Sequence, residues 1–317
     1  MSFGQIMTLE GQLLLMMAVG FLMAKIGVLD EAGRKRLANI LFYVVLPCNT
    51  FNSFAKSFDT QTLINSGVVI LAAALLEAVC VFLPRLTFRR FPKEERLVMT
   101  ACMINPNPSF VGLPIAAAIY DVFDNLGTLY VNMSLLPIRL FIWIVIVAMF
   151  EAETGVRAGG KKENIIIRLL KTPVIVALIL GFIRFFTQPT LPVFFNKAVQ
   201  AFSGCTSALA MLIIGSVLGS ASLKGIFTKA TIFFSFFRLL VMPALTFVMM
   251  NYVFHCDPIA TGVVTIIAGT PAGTTTPTLA QKYNCAPGLC AQAVTCSTIL
   301  MLFTLPLIMA VIPVPAV

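Results

Sequence analysis

Two stretches of this chain combine proline with side-chain hydrogen-bond donors inside apolar runs. The first is Asn105-Pro106-Asn107-Pro108-Ser109, within TACMINPNPSFVGLPIAAA (Thr100–Ala118). The second is Gly269-Thr270-Pro271, followed by Gly273, Thr274 and Thr276, within TGVVTIIAGTPAGTTTPTLAQKY (Thr261–Tyr283). A proline inside a helix removes an amide donor and clashes with the preceding turn. Lipid cannot satisfy the freed backbone groups, so such a break persists only where protein, water or a ligand does so. Counted from helix starts near Arg96 and Pro258, Pro106 and Pro271 lie about 10 and 13 residues in. At roughly 1.5 Å per residue that is about 15–20 Å, the middle of a ~30 Å hydrocarbon core. Matched Gly/Pro interruptions in the two halves of a chain mark a ligand site at the midplane.

The chemistry available there is anion binding. After each break a new helix begins, and its unpaired amides and macrodipole present partial positive charge. Asn105, Asn107, Ser109, Thr270, Thr274 and Thr276 add donors at the same depth, and Gly269 and Gly273 let a ligand approach the backbone. The plainer alternative is two kinked helices whose polar residues satisfy freed carbonyls. Matched depth with flanking Asn and Thr favours the site. Arg139 and Arg238 also fall near mid-membrane, where insertion scales assign roughly 2.5–3.5 kcal/mol to a charge, so each needs a partner or water. Glu77 is the comparably deep acid, since Glu10 sits nearer a surface. A Glu77–Arg238 pair would leave Arg139 as countercharge for an anionic ligand, against the alternative that both arginines serve structural ion pairs.

The elements that must position these residues are membrane-spanning. Of the 317 residues, 59% are hydrophobic and only 11% charged, with mean hydropathy +0.96; soluble domains carry about 25% charged residues. Ten helix-length segments can be drawn near 5–24, 37–55, 62–83, 97–119, 126–149, 165–186, 192–219, 226–250, 258–281 and 288–312. Asp30, Pro92 and Asp257-Pro258 supply turn or helix-start signals. No positive stretch precedes the first apolar run, whose first basic residue is Lys25, so a cleavable leader is not expected. Most of the eight cysteines, including Cys48, Cys80, Cys102, Cys205, Cys290 and Cys296, fall in apolar runs and are expected as free thiols. The single histidine, His255, argues against a histidine metal site or proton relay. No metal, cofactor or nucleotide motif appears, and the 27 Phe and 15 Met are scattered as packing and lipid-facing surface. An intramembrane enzyme would need paired acids or a Ser/His arrangement, and neither is found.

The net charge of +9 reflects topology rather than nucleic-acid binding, because the basic residues fall between apolar segments. Most of the 22 Lys and Arg lie at loops following segments 1, 3, 5, 7 and 9, whereas the other side holds Lys56, Arg184 and Lys197. The positive-inside rule then puts both termini outside and the polar stretch Glu151–Glu163 (EAETGVRAGGKKE) in the cytoplasm. That stretch divides the chain into 1–163 and 164–317, five segments each. An odd number per half makes the halves inverted, so the breaks in segments 4 and 9 can meet.

At these residues the chain resembles the auxin efflux carrier family of bacteria and plants. Plant members carry Asn-Pro-Asn at the break of the fourth helix, matched by Asn105-Pro106-Asn107. Bacterial members continue with Phe-x-Gly-x-Pro, matched by Phe110, Gly112, Leu113 and Pro114. Further matches are Gly20 with Lys25-Ile26-Gly27, Leu46-Pro47, Leu212–Gly219 and Ser297–Pro306. The resemblance implies an all-α fold of two inverted five-helix repeats with crossed, broken helices 4 and 9. Helices 1, 2, 6 and 7 would form a scaffold, and the other six a unit moving by elevator-type alternating access. It also implies a small organic anion as substrate (auxin in plants, malate or malonate in some bacteria), a homodimer, and the cytoplasmic membrane. The chain departs from plant members in its short central loop and in Pro108-Ser109, where they carry Thr-Tyr. The more distant bile acid:sodium symporters share this architecture, but segments 4 and 9 here hold no intramembrane Asp or Glu. Sodium-independent transport is therefore expected, with Glu77 as the deep carboxylate able to carry a proton. A sodium-coupled symporter is the alternative, and an anion channel built from crossed half-helices the second.

Overall fold

The computed structural model describes residues 3–57, 59–155, 172–220 and 225–315. Among them regular structure is helical: α1 (Phe3–Lys25), α2 (31–53), α3 (Thr60–Thr87), α4 (Lys93–Ile104), α5 (Pro108–Tyr120), α6 (Leu126–Thr154), α7 (Pro173–Thr187), α8 (Val193–Ser220), α9 (Lys229–Val253), α10 (Pro258–Ala268), α11 (Thr275–Lys282) and α12 (Pro287–Val311). Six of these, α1, α3, α6, α8, α9 and α12, are long and apolar enough to cross a bilayer. The expected segments 4 and 9 are each two helices. Positions 156–163 of the central loop and 165–171 of the sixth segment lie outside the described residues.

Helix starts follow local chemistry. Asp30 Oδ1 accepts from Gly33 N at 2.6 Å, and Asp257 accepts from the amides of Ile259 and Ala260, both at 3.0 Å, with Pro258 pre-set at the first helical position. Asp59 caps α3 through Thr62 N and Oγ1, each at 2.8 Å. Those bonds, the Thr62 amide first, hold its carboxyl below the usual carboxylate range. π turns at Leu41–Val45 and Phe237–Val241 fall just before Pro47 and Pro243, whose rings and missing donors widen the preceding turn.

The helices pack in two groups. In one, α1 lies along α8, and α2 lies against α7 and α8; in the other, α3, α4, α5, α6, α9, α10, α11 and α12 surround the two breaks. The groups meet where α2 touches α6, α1 touches α12 and α5 touches α8. A polar tie crosses the first of these contacts: Thr50 Oγ1 donates to Asn132 Oδ1 at 3.0 Å. Apolar attraction is absent between helices in lipid, so close backbone approach at small residues carries much of the association. The α1–α8 seam shows it, because a Cβ on Gly215 would collide with the Met17 carbonyl and one on Gly20 with the Leu212 carbonyl. Gly215→Leu is therefore expected to cost about 3 kcal/mol through forced separation of the helices, a fall of roughly 5–10 °C in melting temperature. Gly11→Leu, where an added Cβ meets nothing within 4 Å, is expected to be silent in the same measurement.

Candidate functional site

The two breaks meet. Pro106 and Ala272 face each other in an isolated antiparallel bridge, so the segments after α4 and α10 cross as short extended strands. The half-helices leading into them have 12 and 11 residues, which puts the crossing at matched depths of about 16–18 Å. Gly273 N donates to Asn105 O at 2.6 Å, and Asn107 N donates to Thr270 Oγ1 at 3.1 Å. Thr270 Oγ1 in turn donates to Ile267 O at 2.7 Å. Ala272 N donates to Ser297 Oγ of α12 at 3.2 Å. Oriented to satisfy both its ends, the Asn105 amide accepts from Thr276 N and Oγ1 (3.2 and 2.8 Å) and donates to Pro106 O (3.2 Å). Gly273 is needed because a Cβ there would stand 2.7 Å from both the Asn105 side-chain amide and Pro106 O.

Of the residues expected at the site, Asn105, Thr270 and Thr276 are thus committed to closing the crossing. Pro106 and Pro271 open it. Gly269 serves packing rather than ligand approach, since a Cβ there would collide with Ile308.

Arg238 holds the crossing from behind and is fully buried. Its Nε donates to Thr270 O at 2.9 Å, Nη1 to Met103 O at 3.1 Å and Nη2 to Ile267 O at 3.3 Å. These carbonyls are at or just beyond the C-termini of α4 and α10, so the guanidinium sits at the negative ends of two half-helix dipoles. The expected Glu77–Arg238 ion pair is not formed. Glu77 is buried one turn before Cys80, whose Sγ is 3.8 Å from Arg238 Nη1, yet neither Glu77 oxygen has a partner among the described residues. The physical reason is supply: two broken helices offer carbonyls at their ends, and the planar fork of arginine reaches three at once, Met103 O, Thr270 O and the already bonded Ile267 O.

A second set of residues is uncommitted. Asn107 and Thr274 occupy the N-cap positions of α5 and α11, but neither side chain caps its helix. Ser109 Oγ is buried without a partner. Arg139 on α6 is half-buried and, among the described residues, donates to no protein group. All four line one narrow cleft, together with Phe110, Ile138 and Ile142. No Asp or Glu among the described residues lines it. First-turn amides of α5 and α11 have no intrahelical acceptor, so two positive helix ends and one guanidinium converge on the cleft. As it stands the cleft is narrow, about 20 Å³ and roomy enough for one water-sized group, and its described lining contains no pair of groups for acid–base chemistry. A wider hollow between α3 and the 254–257 loop, lined by Gln61, Asn65 and His255, has no Lys or Arg and lies apart from the breaks.

Sequence reasoning missed Ser297, Thr50 and Asn132. Each is a polar residue inside an apolar segment, and that is the signal that could have found them.

An uncharacterized transporter of Methanocaldococcus jannaschii is 24% identical to this chain over 309 residues, spanning 93% of this chain and 94% of that protein. An uncharacterized transporter of Methanothermobacter thermautotrophicus is 24% identical over 307 residues, again 93% and 94% of the two chains. The family described as membrane transport protein matches residues 6–309. Apolar spans, two crossed helix breaks and this match over nearly the whole length place the chain in one class: it is a multi-pass membrane protein that belongs to the membrane transport protein family, that of the auxin efflux carriers.

Proposed function

We propose that this transporter is a carrier for a small organic anion, a carboxylate or auxin-like acid, moved across the cytoplasmic membrane by elevator-type alternating access without sodium. The observation that carries the reading is the convergence of Asn107, Ser109, Thr274 and Arg139, whose side chains have no hydrogen-bond partner among the described residues, on a cleft at two half-helix N-termini. In this reading those four touch the anion, while Asn105, Pro106, Gly269, Thr270, Pro271 and Thr276 build the crossing. Glu77 and Arg238 stand behind it.

The helix packing supports residues 1–163 and 164–317 as inverted five-helix repeats. Exchanging the halves maps α1–α8 onto α7–α2, α3–α6 onto α9–α12, α3–α4 onto α9–α10, and α6–α10 onto α12–α4, and each of these pairs is in contact. The group α1, α2, α7 and α8 is then the scaffold, carrying the homodimer contact. The remaining helices move as one body, because Arg238 and the crossing tie them together. The end of the bundle that holds Lys93 and Glu151 faces the cytoplasm, and both termini face outward.

Asn107→Ala and Thr274→Val are each expected to weaken carboxylate binding about tenfold, the loss of roughly one charge-assisted hydrogen bond. Folding should be unaffected, since neither side chain bonds to the described residues. Thermal-shift titration with malonate or malate checks this, and wild-type affinity in both variants would sink the assignment.

The transport claim is tested in proteoliposomes loaded with labelled dicarboxylate. Each negative charge carried outward is favoured by about 2.3 kcal/mol per 100 mV of inside-negative potential. Efflux should therefore rise when the outside is made positive and ignore replacement of sodium by potassium. Strict sodium dependence would indicate the symporter alternative. Electrically silent flux would indicate proton-coupled exchange through Glu77, whose unpartnered buried oxygens favour that second reading.

A further inference from the structure

Beyond the crossing, one groove has a composition that the transport reading does not use. It lies between α3 and α6 with α4 as its floor. Arg85, Lys93, Arg96 and Glu153 surround its mouth, and Val81, Leu97, Val145 and Met149 line its interior. Lys93 Nζ is paired with Glu153 Oε2 at 2.9 Å. Arg85 and Arg96 have no carboxylate partner among the described residues, so the mouth carries two uncompensated positive charges above an apolar slot. Beside it on α3, Phe82 is 60% and Leu86 70% exposed. A helix face of that kind is covered by lipid, so the groove opens sideways into the membrane rather than toward bulk water.

The equivalent groove of the other half, between α9 and α12 over α10, supplies the comparison. Its lining includes Leu240, Pro243, Phe247, Leu307 and Val311 and no charged residue. It fits a hydrocarbon chain and nothing more. Of these two equivalent grooves only the one beside α4 has a charged mouth, and it places paired cations at the level of lipid headgroups, where basic clusters between helices attract anionic phosphate.

We propose that this groove binds one anionic phospholipid of the cytoplasmic leaflet. Its phosphate lies between the Arg85 and Arg96 guanidinium groups, and an acyl chain follows Val81, Leu97, Val145 and Met149. The leaflet assignment rests on the orientation given above; the binding itself does not depend on transport.

Native mass spectrometry of delipidated, detergent-purified protein tests it, with phosphatidylglycerol or phosphatidylcholine added at equal concentration. Phosphatidylglycerol adducts should dominate. They should fall about thirtyfold in the double variant Arg85→Gln/Arg96→Gln, whereas Arg89→Gln/Arg90→Gln, which removes the same charge from the adjacent loop, should leave them unchanged. Val145→Trp keeps both charges and fills the slot, so it should also abolish the adduct. That variant decides the matter if the arginine variant does not fold. Retention of the adduct in Val145→Trp, equal loss in the loop control, or equal binding of phosphatidylcholine would overturn the proposal. Displacement of the lipid by inorganic phosphate would overturn it in favour of a soluble-anion site. A thiol introduced by Glu94→Cys should be labelled from the cytoplasmic side of sealed vesicles; labelling from outside would refute the leaflet, independently of any transport result.

Discussion

Arg139→Gln is expected to abolish carboxylate counterflow while leaving the protein folded and its melting temperature at or slightly above the wild-type value. The guanidinium lines the cleft and gives no hydrogen bond to the described protein residues, so its removal breaks nothing internal. A charge at this depth costs roughly 2.5–3.5 kcal/mol to insert, and relieving that cost favours the variant's stability. Binding moves the other way. Truncating one partner of a buried, hydrogen-bonded charge pair costs about 2–5 kcal/mol, or roughly 30- to 5,000-fold in affinity. Arg139→Lys should recover only part of the loss, because an ammonium cannot make the two parallel bonds that a guanidinium gives a carboxylate. Counterflow of labelled dicarboxylate together with thermal unfolding measures both quantities on one preparation. Wild-type counterflow in Arg139→Gln would remove the residue from the site, and a large fall in melting temperature would make it structural.

How far the site was legible in the sequence differs residue by residue. The breaks themselves were readable from Pro106 and Pro271, because a proline at mid-membrane depth has few alternatives to an interrupted helix. The division of labour among the flanking polar residues was not. Asn105 and Asn107 are the same residue type two positions apart, yet the Asn105 side chain bonds to Thr276 across the crossing, whereas among the described residues Asn107 bonds through its backbone alone. Which residue stands opposite which depends on the register of two segments 166 positions apart, as the bridge of Pro106 with Ala272 shows. Gly269 and Gly273 were indistinguishable for the same reason; one admits α12 and the other admits the second strand. Arg238 was recognisable as a charge in need of a partner. Its partners, though, are backbone carbonyls, and these acceptors are invisible to a search for acidic side chains. The sequence-level pairing with Glu77 failed on that point.

Arg238→Gln should therefore be the most destabilising single change among the helices around the crossing, and for a reason other than a broken ion pair. It strips the arginine donors from the carbonyls of Met103 and Thr270, and takes one donor of several from Ile267 O, which keeps Thr270 N and Oγ1. Each buried acceptor left unpaired costs about 1–3 kcal/mol. A total of about 4 kcal/mol or more is expected, a fall of roughly 10 °C in melting temperature. Arg238→Lys keeps the charge and loses the fork; one ammonium does not span carbonyls contributed by two different half-helices, so less than half of the stability should return. Glu77→Gln alone should be mild, since neither carboxylate oxygen bonds to the described residues. Combined with Arg238→Gln it should add to the loss instead of relieving it. An ion pair would behave in the opposite way, because removing the second charge relieves the penalty left by removing the first. Rescue of Arg238→Gln by Glu77→Gln would therefore restore the ion-pair account, and full recovery with Arg238→Lys would show that charge, not hydrogen-bond geometry, holds the crossing. In whatever fraction remains folded, carboxylate affinity should be preserved, because Arg238 is behind the crossing and does not line the cleft that Arg139 lines.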